Sequence, residues 1–230
     1  FCHLAAQLFA EFKHFFPKDE VHYFVSYFDY YQPEAYIARS DTYIEKDSAI
    51  NEQIDKYRLS ATEALLTKRN VIIIASVSCI YGLGKVDDYL NLSMTFKVGE
   101  SRKRDKIIRH LTDMQYHRND NSLSRGQFRV RGHNIDIHQA SEDYVYRINF
   151  DFDKIVKIER LDVYNNVALA TLDKLQIFPA KHFVTPKEKL ANAISKIRKE
   201  LVKRVKYFED NNKYIEAQRI KERVNFDVEL

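Results

Sequence analysis

Leu4, Leu8, Phe12 and Phe15 fall three or four residues apart, which predicts an amphipathic helix over about 4–16. Val21–Val25 follows as a short strand candidate, and an irregular, aromatic-rich stretch then runs to about Ile50. Ile54, Tyr57, Ala61, Ala64 and Leu65 line one face of a second helix across 52–68. The run Val71–Val77, dense in β-branched residues, reads as a strand buried on both faces. Helix followed by strand, twice over, points to part of a parallel α/β sheet.

The pattern changes after Gly84. Ile107, Ile108, Leu111 and Met114 mark a helix over roughly 101–114. Phe128–Arg131 and Asn134–Ile137 then flank Gly132-His133, which fits a two-residue hairpin turn. Tyr144–Phe150, Ile155–Arg160 and Leu175–Phe178 continue the strand spacing, so a small α+β domain is expected over about 88–183. The last segment opens on Thr185-Pro186-Lys187-Glu188, a capping box with proline at the first helical position. Leu190, Ile194, Ile197, Leu201 and Val205 follow, Glu209–Asn212 interrupts, and Ala217, Ile220, Val224 and Val228 resume the spacing. An antiparallel helical hairpin is the natural outcome.

Composition narrows the classes. With 45% hydrophobic and 30% charged residues, the chain is too apolar for general disorder. It has no run approaching the ~20 apolar residues of a membrane span, and no signal peptide is recognisable. Both ends fall inside helical patterns, so the chain is expected to be cut from a longer one. Cys2 and Cys79 lie far apart, which favours a reducing cytoplasm over a disulfide framework. The eight histidines show no metal-ligand spacing with them. A phosphate-binding loop needs G-x-x-x-x-G-K-[ST], and no such string occurs. Gly82-Leu83-Gly84-Lys85-Val86 has the wrong spacing and no hydroxyl after the lysine. No cofactor and no ATP hydrolysis are therefore expected of this piece. The net charge of +4 resides in residues 186–230, which hold 12 basic and 8 acidic side chains. That excess is a weak pointer to nucleic acid, and a solvated helix pair is the plainer reading.

Residues 23–43 are the strongest local anomaly, with eight aromatic residues in 21. Six are tyrosines, whose flat faces suit single-stranded bases at roughly 1–3 kcal/mol each. On spacing alone, a partly exposed binding loop and ordinary core aromatics fit equally well, since aromatic residues also dominate cores.

The wording of the chain goes further. Tyr27-Phe28-Asp29-Tyr30-Tyr31-Gln32-Pro33-Glu34-Ala35-Tyr36 closely resembles a string of the UvrB family of DNA-repair proteins. Asp41–Asp47, Asn51–Lys56, Ile74–Gly84, Arg125–Gly132, Phe178–Ala180, His182–Thr185 and Glu216–Arg219 extend the likeness in collinear order. The resemblance implies part of a P-loop helicase-like parallel sheet (1–87) with a protruding β-hairpin at 27–50, an inserted UvrA-interaction domain (88–183), and a helical segment of a second helicase-like subdomain (184–230). It assigns DNA engagement to Tyr27, Phe28, Tyr30, Tyr31, Glu34, Tyr36, Tyr43, Lys46 and Arg58, with Tyr36 and Tyr43 near the tip holding the hairpin to the body. Phe28 replaces a family tyrosine, which keeps stacking and loses a hydroxyl. It assigns UvrA docking to Arg118, Arg129, Arg131 and Arg147, whose planar forks suit carboxylates; from pattern alone they read as the wet face of a strand. Asn149 stands where the family has an acid, His138-Gln139-Ala140-Ser141 departs from FPAS, and Phe150–Asp153 lacks the family glycine.

The implied function is nucleotide excision repair: binding and verification of damaged DNA, with UvrA and later UvrC as partners and no membrane. The longer parent would hold ATP with magnesium and hydrolyse it. The alternatives are a transcription–repair coupling factor, which shares the docking domain, a non-functional remnant, and a chain with its own strand-separating activity.

Overall fold

The structure, a computed structural model, describes residues 2–26, 28–45, 47–80, 86–184 and 187–229. The first helical stripe forms α1 (Cys2–Phe15) and leads into β1 (Glu20–Phe24). A ribbon of short strands follows: β2 (Phe28–Gln32), β3 (Ala35–Ile37), β4 (Thr42–Ile44) and β5 (Asp47–Ile50). Asn51 then opens α2 (Glu52–Thr67), its side-chain oxygen accepting from the N–H groups of Gln53 and Ile54 at 2.9 and 3.2 Å. Two otherwise orphaned donors of the first turn are thereby satisfied. β6 (Val71–Ala75) pairs with β1 in parallel, from Glu20 opposite Val71 to Phe24 opposite Ala75. Phe9, Tyr23 and Tyr57 tie α1, β1 and α2 together, with ring centroids 5.5 to 6.2 Å apart.

β6 is half-buried, not enclosed on both faces as its composition predicts. Among the described residues its sheet has two strands, so apolar surface stays open. Phe24, Leu66, Ile73 and Tyr89 help line a groove of about 490 Å³ there. The glycine-bearing stretch 81–85 lies outside the described residues.

The middle of the chain builds α3 (Val86–Leu92), β7 (Met94–Lys97), α4 (Arg104–Asp113), β8 (His117–Arg118), β9 (Gln127–Arg131) and β10 (Asn134–His138). β11 (Tyr144–Asp151), β12 (Lys154–Asp162), β13 (Ala168–Leu172) and β14 (Lys174–Ile177) complete it. Six strands form one sheet in the order β13-β12-β11-β10-β9-β8, antiparallel except for the β8–β9 pair, and β7 pairs with β14 separately. Gly132 turns the β9–β10 hairpin at φ 56. The β11–β12 turn instead places Phe152 at φ 52 with its ring 89% exposed. A side chain in that left-handed region costs roughly 1–2 kcal/mol, a cost the family glycine would avoid. α3, β7, β8 and β13 were not anticipated; β13, reading ALATL, has too little contrast to signal a strand.

Alternate residues of the sheet, including Phe128, Ile135, Ile137, Ile148, Ile155 and Ile158, meet Ile107 and Leu111 of α4 in one core. Each such side chain contributes roughly 1.5–3 kcal/mol on burial. Leu59 of α2 belongs to the same core.

α5 (Lys187–Asp210) and α6 (Tyr214–Glu229) form the helical hairpin, with Asn212 at φ 56 in the turn between them. Ile194, Leu201 and Val205 on α5, and Ala217, Ile220, Val224 and Val228 on α6, are sheltered as their spacing predicts, whereas Leu190 and Ile197 of the same α5 stripe are exposed. The cap expected at Thr185-Pro186 lies outside the described residues. The chain divides into two compact units, Phe1–Tyr31 with Ser48–Val184, and Gln32–Asp47 with Thr185–Leu230. That grouping differs from the three segments expected from sequence, because α2 shares the core of the inserted region and the ribbon tip groups with the last two helices.

Candidate functional site

The ribbon has two ladders: a stem in which β2 pairs with β5, and a tip in which β3 pairs with β4. Pro33, which lacks the ladder donor, sits in the break between them. A short 3-10 turn, Ala38–Ser40, reverses the tip, and Asp41 follows at φ 45, a conformation Asp tolerates better than most residues. The register sets Tyr36 directly opposite Tyr43.

Both tip tyrosines are engaged. The Tyr36 hydroxyl donates to Asp41 at 3.0 Å, and Asp41 receives Nε and Nη2 of Arg219 on α6 at 3.1 and 2.7 Å. Tyr43 donates to Glu34, and its ring lies 5.0 Å from the guanidinium of Arg223, one helical turn further along α6. Arg219 and Tyr36 hold the Asp41 carboxyl below its ordinary pKa, and the hydrogen bond to Glu34 pushes Tyr43 up. The tip is thus clamped to α6 by two arginines, and Glu34 is one of the clamp's acceptors. A cavity of about 640 Å³ lies beneath, lined by Phe208, Ile220 and Phe226 among others.

Tyr27 and Lys46 lie outside the described residues, as do the side chains of Phe28, Tyr30 and Tyr31, whose backbone forms β2. Arg58, grouped with the hairpin in the sequence, sits on α2 and is 5% exposed. Its guanidinium lies 4.1 Å from the Phe24 ring centroid and donates to the Val25 carbonyl. Stacking and desolvation make it a brace at the entry to the ribbon, with little surface left for a ligand.

The second candidate surface is the outer face of the six-stranded sheet. Cross-strand register aligns Arg129, Asp136, Arg147, Glu159 and Thr171 in one row across five strands. Asp136, 2% exposed, accepts from Arg129 Nε at 2.8 Å and from Arg147 Nε and Nη2 at 2.7 and 3.0 Å. Burial alone would push the Asp136 carboxyl up, but hydrogen bonds from Arg147 and Arg129 outweigh it and hold the group below its usual range. Asn149, in the family's acidic position, donates to Glu159 at 3.0 Å.

The four predicted docking arginines therefore differ. Arg129 is buried and Arg147 half-buried, both spent on Asp136, while Arg118 and Arg131 are exposed. Arg118 pairs with Asp120 at 2.9 Å, and Arg131 donates to the Asp120 carbonyl at 2.9 Å. Asp136 was missed by sequence reasoning, although the two-residue turn at 132–133 already fixes it opposite Arg129.

Between α2 and the sheet lies a third polar cluster. Glu63, 9% exposed, accepts from Ser141 Oγ at 2.7 Å and Gln139 Nε2 at 2.8 Å. Burial raises its pKa to about 8. Gln139 and Ser141 belong to the string that departs from FPAS, and the departure supplies a donor to a buried acid. Nearby, the Thr62 hydroxyl lies 3.0 Å from Nε2 of His182, whose pKa burial lowers to about 4. Among the described residues there is no group of three or more His, Cys, Asp or Glu side chains placed to hold a metal ion. No helix among them is long and apolar enough to cross a membrane.

Comparison with known proteins bears on both surfaces. Residues 94–183 match the UvrB interaction domain and residues 188–230 the UvrB third helical domain, together more than half of the chain. The chain is 52% identical over 227 residues to UvrABC system protein B of Dehalococcoides mccartyi, covering 99% of this chain and 34% of that protein. It is 52% identical to the Methanosphaera stadtmanae protein of that name over 99% of the chain and 35% of the relative, and 52% to one from Clostridium botulinum over 99% and 34%. It thus spans about a third of the length of the curated relatives it matches. The chain belongs to the UvrB family.

Proposed function

We propose that this chain acts in nucleotide excision repair, as the part of a damage-verifying subunit that grips damaged DNA and docks on UvrA within the UvrABC excinuclease. The observation that carries the reading is the extent of the likeness: 52% identity runs through the aromatic ribbon as well as the docking domain. A docking domain alone would fit a transcription–repair coupling factor equally well. The ribbon's anchored tip supports the DNA arm, because a clamped end lets the stem resist a strand pressed against it. Arg118 and Arg131, exposed beside the Asp136-centred row, support the docking arm.

In this reading the parallel pair β1–β6 belongs to a helicase-like sheet of a longer cytoplasmic protein. ATP with magnesium would be held there by residues other than these, since no phosphate loop occurs in the sequence, and UvrC would join the assembled complex later. The test has two arms. Tyr30→Ala or Tyr31→Ala should weaken binding to an unpaired or adducted duplex, each by roughly 1–3 kcal/mol; unchanged affinity removes the hairpin role. Arg131→Glu should weaken UvrA capture, and undiminished capture removes the docking role. Arg131 is a cleaner probe than Arg129, whose removal would also break the buried row.

A further inference from the structure

We propose that the solvent face of α5 is a track for the sugar–phosphate backbone of DNA, contacted by Lys196, Lys199, Lys203 and Lys206. The proposal rests on the DNA-engaging reading above and adds a surface to it. With 3.6 residues per turn, the four lysines fall within about 80° of one another, on the side of α5 opposite Leu201. They span about 15 Å of the helix axis at 1.5 Å per residue. All four are exposed. None takes part in an ion pair or hydrogen bond among the described residues. The one acid in the interval, Glu200, borders that face about 40° beyond Lys196, and it makes no ion pair with these lysines among the described residues.

The neighbouring helix handles its charges differently. On α6, Arg219 pairs with Glu222 and Arg223 with Asp227, so two of its cations meet acids of the same helix. α5 leaves a line of like charge uncancelled, which costs the isolated helix stability because like charges at four-residue spacing repel. An array of phosphates would offset that cost. One strand of a duplex presents a phosphate about every 3.4 Å of axis, so a track ~15 Å long can meet several. Lysine suits this partner: it is a mobile point charge that needs no fixed register, unlike the arginine forks of the sheet. The track also shares a compact unit with the ribbon tip.

The experiment titrates the whole chain against a fluorescein-labelled duplex with a central unpaired stretch, by anisotropy, between roughly 50 and 200 mM salt. The variant is Lys196→Gln/Lys199→Gln/Lys203→Gln/Lys206→Gln, glutamine being a comparable helix former. Its slope of log affinity against log salt should be shallower by about two to four, with affinity at low salt reduced about tenfold or more. The matching Lys→Arg set should restore the slope. An unchanged slope in a variant with wild-type helical dichroism overturns the proposal. Should the quadruple variant misfold, Lys196→Gln/Lys199→Gln and Lys203→Gln/Lys206→Gln are read separately, each expected to lose about half of the effect. Tyr30→Ala separates the two claims, since it should weaken binding and keep the slope. A parent chain that binds no DNA sinks both claims. Loss of binding to polyglutamate but not to DNA overturns the track in favour of an acidic protein partner.

Discussion

At the ribbon tip, Arg219 and Arg223 reach carboxylates that stay in contact with water; Asp41 and Arg219 keep 42% and 51% of their side-chain surface. On the sheet, Arg129 and Arg147 close on a carboxylate with 3% of its own. The chemistry is the same and the consequence differs. An exposed pair is screened by salt and fixes position more than stability. A buried carboxylate held by two guanidiniums is a commitment, because removing it strands two cations with little access to water. One carboxylate can exchange its partners for water; the other fixes the spacing of two arginines within the sheet.

The largest test breaks the buried pole. Asp136→Ala should destabilise the protein by about 3–5 kcal/mol in urea unfolding, with little change on adding salt. A loss below about 1 kcal/mol would mean that the row relaxes into solvent and that the contrast is not real.

A second test concerns the other buried acid. Glu63 has its folded pKa raised to about 8 from 4.5, so its contribution is fully present below 4.5 and is lost as pH rises through about 8. Stability should decline across that window. Glu63→Gln should flatten this alkaline limb. His182, depressed to about 4 from 6.5, works in the other direction: its contribution is lost as pH falls through that interval. The acid limb should therefore survive in Glu63→Gln, and an unaltered alkaline limb would assign the titration to another group.

The smallest effect belongs to the tip. Arg219→Ala should leave the global melt nearly unchanged while amide exchange over Ala35–Ile44 quickens several-fold, and high salt should do the same to the parent. Uniform protection in both would show the tip is held by its apolar contacts instead.

Much of this was legible. Period-2 spacing around Gly132 gave the β9–β10 hairpin, but the partner it sets opposite Arg129, Asp136, went unread. The interruption at Glu209–Asn212 gave the α5–α6 turn. What stayed hidden depended on distance along the chain. Nothing near Glu63 says that Gln139 and Ser141, 76 and 78 residues away, will donate to it. Arg58 looks like any exposed basic residue of a helix until the Phe24 ring is placed beneath it. Burial of β6 was overestimated because composition reports how apolar a strand is, not how many neighbours cover it.

Asn51 alone separates β5 from α2 and caps that helix. From there α2 is bolted along its length: Gln53 to Arg125, Lys56 to Asp143, Glu63 to Gln139 and Ser141. The returning arm of the stem therefore runs without slack into a rod fixed at several points. A twist applied to that arm would meet a helix tethered at several points in place of a flexible joint.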